Sequence, residues 1–82
     1  MQIQILGGKR CSPCAAMDRL VRRAVNELGI DATIEKVTDE RAIIAAGVMS
    51  IPTLVVDGRV LVSGRVPSRI ELATMLAPST PQ

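Results

Sequence analysis

The chain has 82 residues, 48% of them apolar and none aromatic, which fits one small domain with a core of Ile, Val, Leu, Ala and Met. Its net charge of +2 is spread along the sequence, and without a basic stripe or rings for base stacking it does not read as a nucleic-acid binder. Two cysteines and no histidine exclude a Cys–His hydrolase and a structural zinc site, which needs about four ligands.

Ile3 and Ile5 alternate with Gln2 and Gln4, the pattern of a short strand, and the loop Gly7-Gly8-Lys9-Arg10 follows. Met1 to Gln4 shows neither a basic n-region nor an apolar h-region, and no apolar run approaches the ~20 residues of a membrane span. The expectation is therefore a cytoplasmic protein with no membrane partner. A helix is expected from the cysteines onward, with Ser12 as N-cap and Pro13 at the first helical position. Met17, Leu20, Val21, Ala24 and Leu28 recur at helical spacing and mark its buried face, and Gly29 suits the position that ends it.

Ala32 to Val37 reads as a second strand. Asp39 and Glu40 suit the first turn of a short helix carrying Ile43 and Ile44 and ending at Gly47. Thr53 to Val56 is a β-branched strand after Ile51-Pro52, and Asp57-Gly58 signals a hairpin turn into an antiparallel Arg59 to Ser63. Ser68 and Glu71 have the spacing of a capping box for a last helix ending near Leu76. The order β-α-β-α-β-β-α implies an α/β fold: a mixed four-stranded sheet with a parallel βαβ unit, a closing antiparallel hairpin and flanking helices. One domain is expected over residues 1–77, with a flexible C-terminal tail over 78–82.

The chemistry concentrates in Cys11-Ser12-Pro13-Cys14. A disulfide can close between these two cysteines and with no other partner in the chain. So short a loop contributes little crosslinking entropy, so the pair reads as reactive rather than structural. A thiol has a pKa near ~8.5, lowered where helix N–H groups point at the sulfur. Cys11 is placed for that effect, with Lys9 and Arg10 adding positive charge. Cys14, one turn into the helix, is better protected. Cys11 is thus the expected attacking thiolate and Cys14 the residue that attacks Cys11 and resolves the mixed disulfide. Pro13 stiffens the loop between them. This chemistry needs no cofactor and no metal.

Combined with the residues downstream, the motif resembles the thioredoxin superfamily, and within it the very small redox-active disulfide proteins. The resemblance rests on Cys11-Ser12-Pro13-Cys14 after the first strand, on Leu28-Gly29-Ile30-Asp31, on the run from Gly47 through Ile51-Pro52-Thr53 to Asp57-Gly58, and on Val62-Ser63-Gly64-Arg65-Val66-Pro67-Ser68. It implies a thioredoxin-like fold and thiol–disulfide oxidoreductase activity in electron transport and redox homeostasis. It also implies that Pro52 is a cis-proline beside the disulfide and that the Ile51 backbone offers strand-like hydrogen bonds to a peptide. Gly64 corresponds to a loop close to the active site, so Ser12, Pro13, Ile51, Pro52 and Gly64 form the expected substrate-binding set. The implied partners are a disulfide-containing client protein and a thiol or flavoprotein reductase, with the chain acting as a monomer. Arg10 stands where thioredoxin proper has a tryptophan, and Met1 to Leu6 lacks its buried acid. Water, Lys9 or Asp18 would then take the Cys14 proton.

Two other readings compete. A soft-metal module could hold Cu(I) on the two thiolates, but such domains follow a βαββαβ order and lack the proline. A binding protein that merely kept the fold would not need both cysteines. The cluster Arg19, Arg22, Arg23 reads as a solvated helix face, with Asp18 and Arg22 paired at i,i+4.

Overall fold

A computed structural model describes residues 1–76. The expected tail at 78–82, and Ala77 before it, lie outside the described residues. The elements run β1 (Gln2–Leu6), α1 (Ser12–Leu28), β2 (Thr33–Val37), α2 (Glu40–Ala45), β3 (Thr53–Val56), β4 (Arg59–Ser63) and α3 (Arg69–Leu76). This is the expected order, with β2 starting one residue later than read from the pattern.

The four strands form one sheet in the order β2-β1-β3-β4. β1 pairs parallel with β2, Ile3 opposite Ile34, as a βαβ crossover requires. It pairs antiparallel with β3, Leu6 opposite Thr53 and Ile3 opposite Val56. β3 and β4 are antiparallel, and their register shifts between Leu54 and Val55. Leu54 faces Val62 while Val55 faces Val60, so Leu61 is the extra residue of a bulge. Asp57 (φ 49°) and Gly58 (φ 82°) both adopt left-handed backbone, the conformation of the tight hairpin turn their dipeptide signals. Asp57 also ties that turn to β1, its Oδ1 accepting from the Gln2 N–H at 2.7 Å.

Period-two alternation divides the core between the two sheet faces. Ile3, Ile5, Leu54, Val56 and Val62 meet Met17 and Val21 of α1 and Leu72 and Leu76 of α3 on one face. Leu6 and Val55 meet Ile43 of α2 on the other. A helix of six residues spans only about 9 Å, so α2 covers one end of that face. Gln4 and Glu35, further along the same face, hydrogen-bond each other at 2.9 Å in an exposed position.

α1 follows its periodicity with one exception. Met17 and Val21 are fully buried, and Leu20 and Ala24 pack against the core. Leu28, expected on the buried face, is 40% exposed, because it looks into a groove between the end of α1 and the start of α3. The helix ends at left-handed Gly29 (φ 65°), with Gly29 N–H donating to Asn26 O and Ile30 N–H to Val25 O. This is a Schellman stop, and the glycine supplies its left-handed residue without a Cβ penalty.

In α2, Asp39 stands outside the first turn as the N-cap, its Oδ1 accepting from the Arg41 N–H at 3.0 Å. Ile43 is buried, but Ile44 is 67% exposed because only one face of the short helix meets the sheet. α3 carries the expected capping box: Ser68 Oγ accepts from Glu71 N–H and Glu71 Oε1 from Ser68 N–H, both at 3.1 Å. Among the described residues, no helix is long and apolar enough to cross a membrane.

Candidate active site

β1 delivers the chain to one end of the sheet, where Gly7-Gly8-Lys9-Arg10 carries it to the start of α1. Cys11, rather than the expected Ser12, is the N-cap of α1. Its backbone is extended (φ −95°, ψ 108°), and its Sγ accepts from the Cys14 N–H at 3.1 Å. Sulfur therefore fills the place of a capping hydroxyl, and Ser12 becomes the first helical residue. Pro13, second in the helix, lacks an N–H that would have no carbonyl partner there in any case. The first helical bond runs from Ala15 N–H to Cys11 O at 3.1 Å.

Cys11 and Cys14 are joined in a disulfide, with Cα atoms 5.1 Å apart. The two sulfurs differ in access: Cys14 is fully buried, Cys11 only partly. Ser12 and Pro13 are exposed between them. Lys9 and Arg10 are also exposed, and among the described residues neither has an ion-pair partner. Asp18, one turn beyond Cys14, is hydrogen-bonded to Arg22 Nε at 3.1 Å. Arg23 lies 3.6 Å from Glu27, and Arg19, Arg22 and Arg23 are all exposed, as expected of a solvated face.

The second part of the site comes from the start of β3. The Ile51–Pro52 peptide is cis and Pro52 is fully buried. Because Leu6 pairs with Thr53, Gly7 leaves β1 at the same sheet end where Pro52 enters β3. Ile51 is 44% exposed, and among the described residues no hydrogen bond engages its backbone. Gly64 N–H donates to Pro52 O at 2.9 Å, and a Cβ at Gly64 would meet Ser50 Cβ at 3.1 Å. Gly64 thus packs against the Ser50-Ile51-Pro52 segment.

Two residues gain roles that their sequence context does not reveal. Thr53 is fully buried, and its Oγ1 donates to Ser50 O at 2.7 Å and contacts Ser63 Oγ at 3.0 Å. It clamps the loop before Pro52 to β4. In the sequence it is one β-branched residue in a strand full of them. Gly7 packs directly against Cys14, and a Cβ there would overlap Cys14 Sγ. Beside Gly8 it reads as an ordinary loop glycine, and no sequence signal separates the two.

Near the entry to α3, Arg65 makes a two-pronged pair with Glu71, Nη1 to Oε1 at 3.0 Å and Nη2 to Oε2 at 2.8 Å. The Arg65 hydrogen bonds and the Ser68 N–H hold the Glu71 carboxyl down at about 2.

Comparison with known proteins agrees with this geometry. The family described as Thioredoxin domain matches residues 1–77. A thioredoxin of Methanothermobacter thermautotrophicus is 42% identical over 77 residues, covering 94% of this chain and 99% of that protein. A thioredoxin of Methanocaldococcus jannaschii is 40% identical over 65 residues, 79% of this chain and 74% of that protein.

Proposed function

This chain belongs to the thioredoxin domain family and is a thioredoxin-like thiol–disulfide oxidoreductase, and from that premise we propose how its two sulfurs divide the work. Cys11 is the attacking thiolate. It displaces one sulfur of a client disulfide, forming a Cys11–client mixed disulfide and releasing the other client sulfur as a thiolate, which takes a proton from water. Cys14 then loses its proton, attacks Cys11 Sγ and closes the Cys11–Cys14 disulfide, and the second client sulfur leaves reduced. Run in reverse, the same steps oxidise a dithiol.

The observation that carries this division is the N-cap: Cys11 Sγ is partly accessible and accepts the Cys14 N–H at 3.1 Å, while Cys14 Sγ is buried. A helix N-terminus favours the thiolate over the thiol because its N–H groups and dipole point at the developing charge. Lys9 and Arg10 add unpaired positive charge alongside. Ser12, Pro13, Ile51, Pro52 and Gly64 form the face that receives a client segment, the Ile51 backbone pairing with it as an added strand.

The partners are a disulfide-containing client and a thiol or flavoprotein reductase that restores the dithiol, with residues 1–77 working as one domain, a monomer, in the cytoplasm. The order β-α-β-α-β-β-α is not the βαββαβ order of the copper-carrying domains, and it favours exchange over Cu(I) transfer.

A trapping experiment tests the assignment. With a disulfide-bonded peptide, Cys14→Ser accumulates a covalent adduct by mass spectrometry and Cys11→Ser forms none. An adduct on Cys11→Ser, or none on Cys14→Ser, would overturn the roles.

A further inference from the structure

Building on the roles proposed for the two cysteines, we propose that Gly7 is a positioning residue for Cys14: the side chain missing at the end of β1 is the space the Cys14 sulfur occupies.

Four of the six glycines, Gly29, Gly47, Gly58 and Gly64, have positive φ. Gly7 and Gly8 do not, so backbone torsion does not demand glycine at either. At Gly8 an added Cβ meets nothing within 4 Å. At Gly7 it overlaps Cys14 Sγ and lies 2.8 Å from Cys14 Cβ. The Cys14 side chain, its sulfur above all, rather than the Gly7 torsion, requires glycine at position 7.

The backbones on both sides of this contact are held in place. Gly7 is buried, and its N–H donates to Val37 O at 3.0 Å, continuing the β1–β2 ladder past Leu6. Cys14 is fully buried on α1, with its own N–H committed to Cys11 Sγ. A methyl at Gly7 crowds Cys14 Cβ in both redox states, but the overlap with the sulfur differs between them. A free Cys14 thiol can turn its sulfur away by changing side-chain rotamer, whereas in the disulfide the sulfur is bonded to Cys11 and the torsion is set. Glycine at position 7 therefore favours the state in which Cys14 Sγ is bonded to Cys11. It acts in the closing step, where the Cys14 thiolate displaces the client sulfur from Cys11 and that sulfur leaves as a thiolate. The initial attack by Cys11 leaves Cys14 unbonded and is not governed by this contact.

The test uses Gly7→Ala in the full chain, with Gly8→Ala as control. The expected result is at least a tenfold shift of the equilibrium with glutathione toward the dithiol, about 30 mV for this two-electron couple. Closure of the Cys11–Cys14 bond slows by a similar factor, and a Cys11 adduct becomes visible by mass spectrometry. The second-order attack of Cys11 on a small disulfide stays within about twofold, and Gly8→Ala matches wild type in all three. An unchanged glutathione equilibrium in folded Gly7→Ala would overturn the proposal.

If Gly7→Ala does not fold, the comparison moves to a background without the obstacle. Gly7→Ala/Cys14→Gly should melt within a few degrees of Cys14→Gly alone. A further large loss there would show that Gly7 serves the backbone and not the sulfur, and would overturn the proposal. Attack by a Cys11→Ser protein would sink the role assignment, whereas normal wild-type exchange with an unchanged Gly7→Ala equilibrium would sink only the Gly7 inference.

Discussion

The backbone N–H of Cys14 donates to Cys11 Sγ at 3.1 Å. One residue therefore serves the pair twice, its amide holding the partner's sulfur at the helix start and its own sulfur closing the disulfide. Cys11 is at once the N-cap of α1 and the more accessible end of the redox pair, so under the proposed roles the local folding of α1 and the activation of the nucleophile are one arrangement.

The first prediction concerns that activation. In the reduced protein the Cys11 thiol should titrate below the ordinary value of ~8.5, because the helix N–H groups favour its anion. Thiolate absorbance and alkylation rate followed against pH measure it. Lys9→Gln and Arg10→Gln should each slow alkylation near neutral pH modestly, and more at low salt, since both residues are exposed and screened. A Cys11 titration at or above ~8.5 would remove the capping argument.

Glu71 makes stability depend on acid. Its folded pKa, about 2, lies below the ordinary 4.5, so the unfolded chain binds more protons between those values. The contribution is complete above pH ~5 and is lost as pH falls toward 2. Wild type should therefore melt above Glu71→Gln at pH 7, and the difference should shrink at pH 3. Because the pair is exposed, the effect at pH 7 should be modest and weaken in salt. A gap that widens on acidification would contradict the assignment.

Thr53→Val tests the clamp on the loop before Pro52. The change keeps the shape but removes the buried hydroxyl that meets Ser50 O and Ser63 Oγ. It should cost about 1–3 kcal/mol in denaturant unfolding, the cost of a lost buried hydrogen bond. Ser63→Ala should cost less, since Thr53 keeps its 2.7 Å bond to Ser50 O. Equal losses would mean that the Thr53–Ser63 contact, and not the tie to Ser50, carries the energy.

α3 is anchored by a few side chains. Leu72 is fully buried while Ile70, two residues away, is 81% exposed. Leu72→Ala should cost about 2–5 kcal/mol, the range for emptying a packed leucine site. Ile70→Ala should stay within ~0.5 kcal/mol. Comparable losses would place Ile70 in contacts that its exposure does not indicate.

Much of the molecule is legible along the chain because its causes are local. The stripe on α1, the stop at Gly29, the Asp57-Gly58 turn and the Ser68–Glu71 box each depend on residues within one element or one turn. The readings that needed correction depended on neighbours. Ser12 was expected to cap α1, but the extended residue there is Cys11, whose sulfur reaches the Cys14 N–H. Leu28 has an apolar side chain at helical spacing, yet it is exposed, because the groove beside α3 leaves it uncovered. The Arg65–Glu71 pair adds a partner that the capping box alone does not imply.

By itself, the sequence determined the order of elements, the strand–helix junction that carries Cys11 and Cys14, and the proline before β3, since periodicity, turn chemistry and capping act over a few residues. Only the tertiary structure decided which distant groups share a site. The pairing of β1 with β3 brings Gly7 and Pro52 to one end of the sheet, and the packing of α1 places the Cys14 sulfur where a side chain at Gly7 would be. Such contacts depend on the relative placement of whole elements, set by how the two faces of the sheet bury their apolar residues, and no local pattern records them.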